Sequence, residues 1–245
     1  MISVCLASYN GALYIQEQLD SILQQLGPKD EVIVSDDCSG DATCDIIRDI
    51  KDDRIRLYQH SINIGPIKNF EFALQKASGD MIFLSDQDDI WMPGKVSTIV
   101  SLLQEYHLIC HNAAILEDFN LPKEDSKYSN LFERYQAKSG ILKNILKNSY
   151  TGCCMAFRRD VLKLSLPFPQ YISMHDQWIG LVANSLYKVL FWEKNLIQYR
   201  RHSSNVTQWN KTPSKLTPTM FTKRFYLSFS LFKRYISFSV RKSKD

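Results

Sequence analysis

Residues 79–95 read GDMIFLSDQDDIWMPGK, and the order of residue types in this stretch decides the fold class. Met81 to Ser85 is a short apolar run with Ile82, Phe83 and Leu84 unbroken, the pattern of a strand covered on both faces. It stops abruptly in Asp86, Gln87, Asp88 and Asp89. Beyond Trp91, Met92 and Pro93 a helix is predicted from about Lys95 to Tyr106. The same succession of apolar run, polar end and amphipathic segment recurs upstream. Ile2 to Ala7 runs into Ser8, Tyr9 and Asn10, followed by Leu13, Ile15, Leu19, Ile22, Leu23 and Leu26 at near-helical spacing until Gly27 and Pro28. Glu31 to Ser35 carries Val32, Ile33 and Val34 into Asp36, Asp37, Cys38, Ser39 and Gly40. A helix from Ala42 to Ile50 with Asp41 as its cap follows, then a strand from Ile55 to Tyr58 and a helix from Ile67 to Lys76.

Four strands alternating with helices in about 85 residues predict an α/β fold with a mainly parallel sheet flanked by helices. Ligands of such sheets bind beyond the carboxyl ends of the strands. The polar clusters 8–10, 36–37 and 86–89 all fall at strand ends, so one cleft is expected to collect them. Further along, Leu108 to Ile115 and Tyr150 to Arg158 read as strands, 117–136 as a polar loop, and a helix starts at Arg159. His175 to Tyr187 reads as a helix through Trp178, Ile179, Val182 and Leu186.

Composition narrows the function classes. At 44% hydrophobic and 23% charged, the 245-residue chain is neither disordered, collagenous nor coiled coil. No run approaches the roughly 20 apolar residues of a membrane span. The start of the chain lacks the basic leader and cleavage site of a secretory signal, so a cytoplasmic location is expected. Six scattered cysteines without CxxC spacing predict reduced thiols. The net charge of +4 hides a division: residues 1–193 carry 18 Lys and Arg against 25 Asp and Glu, or −7, and residues 194–245 carry 12 against one, or +11. No GxGxxG and no GxxxxGK[ST] occurs, which counts against dehydrogenase and P-loop readings.

The acidic strand ends carry the chemistry. Three carboxylates within four positions disfavour one another's ionisation unless a cation is present, and an all-oxygen set favours Mg²⁺ or Mn²⁺. A solvated acidic turn is the alternative for 86–89. Asp36 and Asp37 form a second acidic pair, placed to accept from ribose or base, or else only to shape the turn.

Taken together, ASYN, VIVSDDCSGDAT, NIGPIKNF and GDMIFLSDQDDIWMPGK, in this order, resemble the family-two glycosyltransferases of the GT-A fold, the Rossmann-like nucleotide-diphospho-sugar transferases, and among them bacterial rhamnosyltransferase-like members. The resemblance covers roughly residues 1–205. It implies a glycosyltransferase domain over 1–210, with a nucleotide-sugar donor half (1–95) and an acceptor half (96–210), followed by a basic amphipathic segment over 211–245. It implies donor nucleotide contacts from Ala7, Ser8, Tyr9, Asn10, Asp36, Asp37, Asn63, Gly65, Asn69, Asp86 and Gln87, Asn69 being alternatively a helix-surface residue. A metal, Mn²⁺ or Mg²⁺, is implied at Asp86 and Asp88, with Asp89 able to serve. MHDQW, 174–178, resembles the element that supplies the base of inverting members, which makes Asp176 the catalytic candidate; a helix cap is its plainer role. The helix dipole would keep Asp176 ionised, and partial burial would have to restore its basicity. YRRHSSN, 199–205, resembles a loop that reaches the diphosphate or metal, through Arg200, Arg201 and His202. The QxxRW motif of processive members is missing, so one sugar is expected per transfer, from a nucleoside-diphosphate donor such as dTDP-rhamnose or a UDP-sugar, to a surface-glycan or lipid-linked acceptor.

In the tail, Phe221, Phe225, Phe229, Phe232, Ile236 and Val240 share one helical face, with Lys223, Arg224, Arg234, Arg241 and Lys242 mostly opposite. This predicts a helix lying on an anionic membrane, hence a peripheral place on the inner face of the plasma membrane. Leu227, Phe229 and Leu231 also alternate as a strand would, and packing on the domain or a partner is the competing arrangement. Nucleic acid is not expected beside a −7 body. Two other functions stay open: a glycan- or nucleotide-binding scaffold that has lost the reaction, and a sugar-phosphate nucleotidyltransferase, which would want a basic, glycine-rich loop after the first strand.

Overall fold

A computed structural model describes residues 1–117, 128–202 and 218–242, with side chains over 221–239 in the last stretch. The first half forms β1 (Ile2–Ser8), α1 (Ile15–Leu23), β2 (Glu31–Asp36), α2 (Thr43–Asp49), β3 (Ile55–Gln59), α3 (Pro66–Lys76), β4 (Met81–Ser85) and the two-residue β5 (Ile90–Trp91). The second half forms α4 (Lys95–Leu102), β6 (Leu108–Glu117), α5 (Leu131–Tyr135), α6 (Ile141–Leu146), β7 (Met155–Arg158), α7 (Arg159–Ser165), α8 (His175–Leu186), β8 (Val189–Arg201) and α9 (Pro218–Lys242).

One sheet runs in the order β3-β2-β1-β4-β7-β6-β8-β5. Its first four strands are parallel, as the alternation with helices requires. β7 then pairs antiparallel with both β4 and β6, and β5 antiparallel with β8. β4 and β1 have no exposed faces: Val4, Cys5, Leu6, Ile82, Phe83 and Leu84 are fully buried. At the expected helix start, Asp41 accepts from the Thr43 N–H at 3.0 Å.

Three sequence expectations change and one alternative is decided. The stretch 150–158 is a strand only from Met155, because a 3-10 turn at Gly152–Cys154 precedes it. The polar 117–136 region holds α5, capped by the Asn130 side chain on the Glu133 N–H; 118–127 lie outside the described residues. β8, thirteen residues long, was not anticipated. The tail is helical from 218, as its spacing predicts, and the competing strand does not form. The expected domain boundary at 210/211 and the end of the 199–205 motif lie outside the described residues. Among the described residues, no helix is long and apolar enough to cross a membrane.

Candidate active site

The carboxyl ends of β1, β2 and β4 open into one cleft of about 540 Å³. The first half lines it with Ala7, Ser8, Tyr9, Asp37, Asn63, Pro66, Asn69, Phe70, Asp86, Gln87 and Asp88. The second half contributes Tyr135, Asn148, Tyr150, Thr151, Gly152, Met174, His175, Asp176 and Tyr199. The three polar clusters and the candidate base therefore share one space.

The two aspartates after β2 have different employment. Asp36 is fully buried and does not line the cleft. Its carboxylate accepts from the Ser8 hydroxyl at 2.8 Å, the Ser39 N–H at 2.9 Å and the Ser39 hydroxyl at 2.5 Å. The expectation of a nucleoside contact from Asp36 is corrected: these bonds consume the carboxylate in closing the turn. Asp37 does line the cleft. It accepts from the Ile64 and Gly65 N–H groups at 2.6 and 2.9 Å, and so carries the 63–66 loop to the cleft edge. Gly65, at φ +81, supplies the left-handed backbone that turn needs. Gly65 itself does not line the cleft, although its neighbours Asn63, on the residue-63 side, and Pro66 do. Asn69 is no surface residue. It is 2% exposed, its amide donates to the Ser35 and Ser8 carbonyls at 2.8 and 3.4 Å, and its Oδ1 has no partner.

Asn10 also lies off the cleft, because it pins the turn opposite. Its N–H donates to Ser39 Oγ and its Oδ1 accepts from the Gly40 N–H. Gln87 grips Tyr9 like a neighbouring strand, accepting from its N–H at 2.8 Å and donating to its carbonyl at 3.0 Å. A Cβ on Gly11 would stand 2.2 Å from Gln87 Oε1, so a glycine there is what lets the amide approach.

The acidic strand end is held from below. Gln18 of α1, fully buried, donates to Ser85 Oγ at 2.6 Å and the Asp86 carbonyl at 3.1 Å. Burial, and then the charges of Asp88 and Asp176, raise the Asp86 carboxyl. Asp88 Oδ2 lies 2.7 Å from His202 Nε2, and the His202 ring stacks on Tyr14 at 4.9 Å. Asp89 is 1% exposed; one oxygen accepts from the Arg200 N–H at 3.1 Å and the other is buried without a partner. Its carboxyl is pushed well up, by burial first and by Asp88 and Asp86 after. Lys95, fully buried, donates to the Cys153 carbonyl at 3.2 Å and sits 3.9 Å from the Trp91 ring centre. Burial lowers its ammonium to about 8, against the opposing pull of the nearby acids.

This donor set suits a divalent cation. Asp86, Asp88 and His202 offer oxygen and imidazole ligands, and the orphaned Asp89 oxygen marks an unbalanced acidic interior. Oxygens of Asp86 and Asp89 also lie within 4.8 Å of Cys153 Sγ. The Cys153 thiol is held well above its usual range, by its hydrogen bond with the free Cys154 thiol and by burial, so it stays protonated at neutral pH and makes a poor ligand.

The arginines depart from expectation. Arg200 donates to Glu17 Oε2 at 2.5 Å and the Asp88 carbonyl at 3.0 Å, with its guanidinium over Tyr14. Arg201 is 5% exposed on β8, opposite Glu117 in the ladder with β6. Neither lines the cleft, and nor does His202; the diphosphate role expected of Arg200 is corrected, because its guanidinium ties β8 to α1 and to the acidic strand end.

Asp176 occupies the first turn of α8. Its Oδ1 accepts from Asn148 Nδ2 at 3.0 Å and from the Gln177 N–H at 2.5 Å, and Gly152 lies close by. These bonds and the helix end favour the charge, yet burial outweighs them and raises the carboxyl to about 6. Beside it His175 stacks on Phe70 at 3.9 Å, and burial lowers its imidazole to about 3. The sequence reading missed Gln18, Lys95, Asn148 and the cleft tyrosines 135, 150 and 199. Lys95, inside the 79–95 stretch, and Tyr199, the first residue of the 199–205 motif, had a signal near them.

Comparison with known proteins agrees with this geometry. The profile of "Glycosyl transferase family 2" matches residues 3–165. An uncharacterized glycosyltransferase of Nostoc sp. is 27% identical over 219 residues, 83% of this chain and 66% of its own length. The dTDP-rhamnosyl transferase RfbG of Shigella flexneri is 26% identical over 219 residues, covering 82% of this chain and 72% of its own. WfgD of Escherichia coli, a UDP-Glc:alpha-D-GlcNAc-diphosphoundecaprenol beta-1,3-glucosyltransferase, is 26% identical over 189 residues, 74% and 68% of the two chains. The chain thus spans just under two thirds of the Nostoc protein. Among solved structures, TarS of S. aureus in complex with UDP-GlcNAc superposes with TM-score 0.65 at 20% identity, covering 83% of this chain and 59% of that one. The mannosyltransferase PcManGT of Pyrobaculum calidifontis, in complex with GDP-Man and Mn²⁺, gives 0.62 at 16% identity over 100% and 75%. Both likenesses concern the fold, which is GT-A. With the profile covering well over half of its length, the chain belongs to glycosyl transferase family 2.

Proposed function

We propose that the chain transfers a single sugar, with inversion, from a nucleoside-diphosphate donor to a hydroxyl of a lipid-linked glycan, with Asp176 as the base. The observation that carries this reading is the Asp176 carboxyl at the first turn of α8, raised to about 6 and facing the same cleft as Asp37, Asp86 and Asp88. A base of that strength is mostly ionised at neutral pH and still accepts a proton readily.

The donor nucleoside would lie against Ala7, Ser8, Tyr9, Asp37, Asn63 and Asn69, which line the first-half side of the cleft. Asp86, Asp88 and His202 would hold Mn²⁺ or Mg²⁺, which when bound supplies positive charge for the diphosphate. The acceptor would lie against the other side, lined by Tyr135, Tyr150 and Tyr199. Asp176 takes the proton of the acceptor hydroxyl as its oxygen bonds to the anomeric carbon. The bond from that carbon to the diphosphate oxygen breaks, and the nucleoside diphosphate leaves. Relatives named for UDP-Glc, dTDP-rhamnose and diphosphoundecaprenol substrates support the donor class and a lipid-carried acceptor.

The test is nucleoside diphosphate release from UDP- and dTDP-sugars in the presence of polyprenyl-diphosphate sugar acceptors, for wild type and Asp176→Asn. The reading expects release to depend on acceptor, and the variant to bind donor normally with turnover lower by about 10²–10⁴. Full turnover in the variant removes Asp176 from the mechanism.

A further inference from the structure

We propose that α9 and the exposed side of α6 form a seat for an anionic lipid bilayer. The proposal is independent of which residue acts as base.

α9 has two apolar faces, and the domain uses only one. Leu227 and Leu231 are 4% and 7% exposed, on the side where the helix meets α6 and α8. Two arginines fasten that side to free carbonyls: Arg224 donates to Leu146 O at 2.6 Å, and Arg234 to Leu166 O and Pro167 O at 3.0 and 2.5 Å. Phe221, Phe225, Phe229, Phe232 and Ile236 fall within an arc of about 80° at 100° per residue, and the two leucines lie about 120–160° round from its middle. These five side chains are between 45% and 68% exposed. On α6, Leu142 and Leu146 are 79% and 62% exposed and extend the apolar surface. The domain has therefore anchored this helix and left its larger apolar face outward, which is a mark of an interaction surface.

Charge selects the occupant. Besides Arg224 and Arg234, which hold the domain, α9 carries Lys223, Lys233, Arg241 and Lys242, and it has no acid. Lys233 lies with its Nζ 4.5 Å from the Phe229 ring centre, beside the exposed row. A two-fold contact between copies would set this cationic helix against itself. An anionic bilayer accepts both the aromatic row and the cations, the arrangement of an interfacial helix. The position is also useful: α6 ends at Leu146, two residues before the Asn148 that bonds Asp176, so a lipid-carried acceptor would approach along the same surface.

The test is co-sedimentation of the 245-residue chain with phosphatidylcholine vesicles, with and without about one third phosphatidylglycerol, for wild type and for Phe225→Glu/Phe229→Glu/Phe232→Glu. The substituted side chains point outward, so melting temperature and nucleoside diphosphate binding should match wild type. That control separates failure here from failure of the donor-site reading. The expected result is salt-sensitive binding to anionic vesicles that falls about tenfold or more in the variant. The proposal is overturned if wild type ignores anionic vesicles or if the variant binds them equally. It is also overturned if light scattering shows a wild-type dimer that the substitutions dissolve, since a second copy would then cover the face.

Discussion

Asn148→Ala should move the acid limb of the pH–rate profile upward. Asn148 Nδ2 donates to Asp176 Oδ1 at 3.0 Å, a bond that favours the ionised carboxylate. Hydrogen bonds to charged groups contribute about 1.5–3 kcal/mol, and one pH unit corresponds to about 1.4 kcal/mol. The Gln177 N–H remains in place and water entering the cleft replaces part of the loss. The net displacement is therefore about one pH unit, from about 6 toward about 7. The assay is kcat against pH with donor and acceptor saturating. The variant should lose most of its activity near pH 6 and recover near pH 8.5, where either base is ionised. Because Asn148 also holds the Tyr150 backbone through its Oδ1, a melting curve must show the variant folded at each pH. A limb that stays at the wild-type position in folded Asn148→Ala, or that survives in the residual activity of Asp176→Asn, would refute Asp176 as the titrating base.

Two further outcomes follow from the same contacts. Asp36→Asn keeps one amide oxygen to accept from the Ser39 N–H but turns the other oxygen, which accepts from the Ser8 and Ser39 hydroxyls, into an N–H donor. It should cost about 2–4 kcal/mol, seen as a melting temperature lower by about 5–15 °C, and a variant of wild-type stability would show that the turn does not depend on this carboxylate. Asp176 has the opposite sign. Its carboxyl is raised on folding, so its stabilisation is complete below pH 4 and fades as pH rises through about 6. Asp176→Asn cannot ionise, and it should therefore gain stability relative to wild type between pH 4 and 7, by up to about 3 kcal/mol. A stability difference that is flat with pH contradicts the raised carboxyl.

The donor half was legible because its strands are continuous apolar runs. Ile82, Phe83 and Leu84, or Val32, Ile33 and Val34, leave little other than a buried parallel strand, and polar residues at their ends must gather where those strands stop. The adjacent pair Asp36 and Asp37 was not separable by pattern. Successive strand residues point to opposite sides, and which of the two meets the cleft depends on Ser8 and Ser39 taking the other. Arg200 was misplaced for a related reason: its partner Glu17 lies 183 residues away, and no local pattern announces it. β8 was missed because VLFWEKNLIQYRR breaks alternation with Glu193, Lys194 and Asn195, where the ladder with β6 shifts register. Asp176 was found by motif resemblance, whereas its raised carboxyl emerges only from its burial in the folded chain, against the opposing bonds from Asn148 and the Gln177 N–H.

The most direct test of the donor site is calorimetric titration of UDP, dTDP, GDP and ADP, with Mn²⁺ and with chelator, into wild type and Asp88→Ala. The account predicts that one of these nucleotides binds wild type only when the cation is present, and that the variant loses this binding while remaining folded. Binding that is indifferent to chelator and to Asp88→Ala, or no binding under any condition, would contradict it.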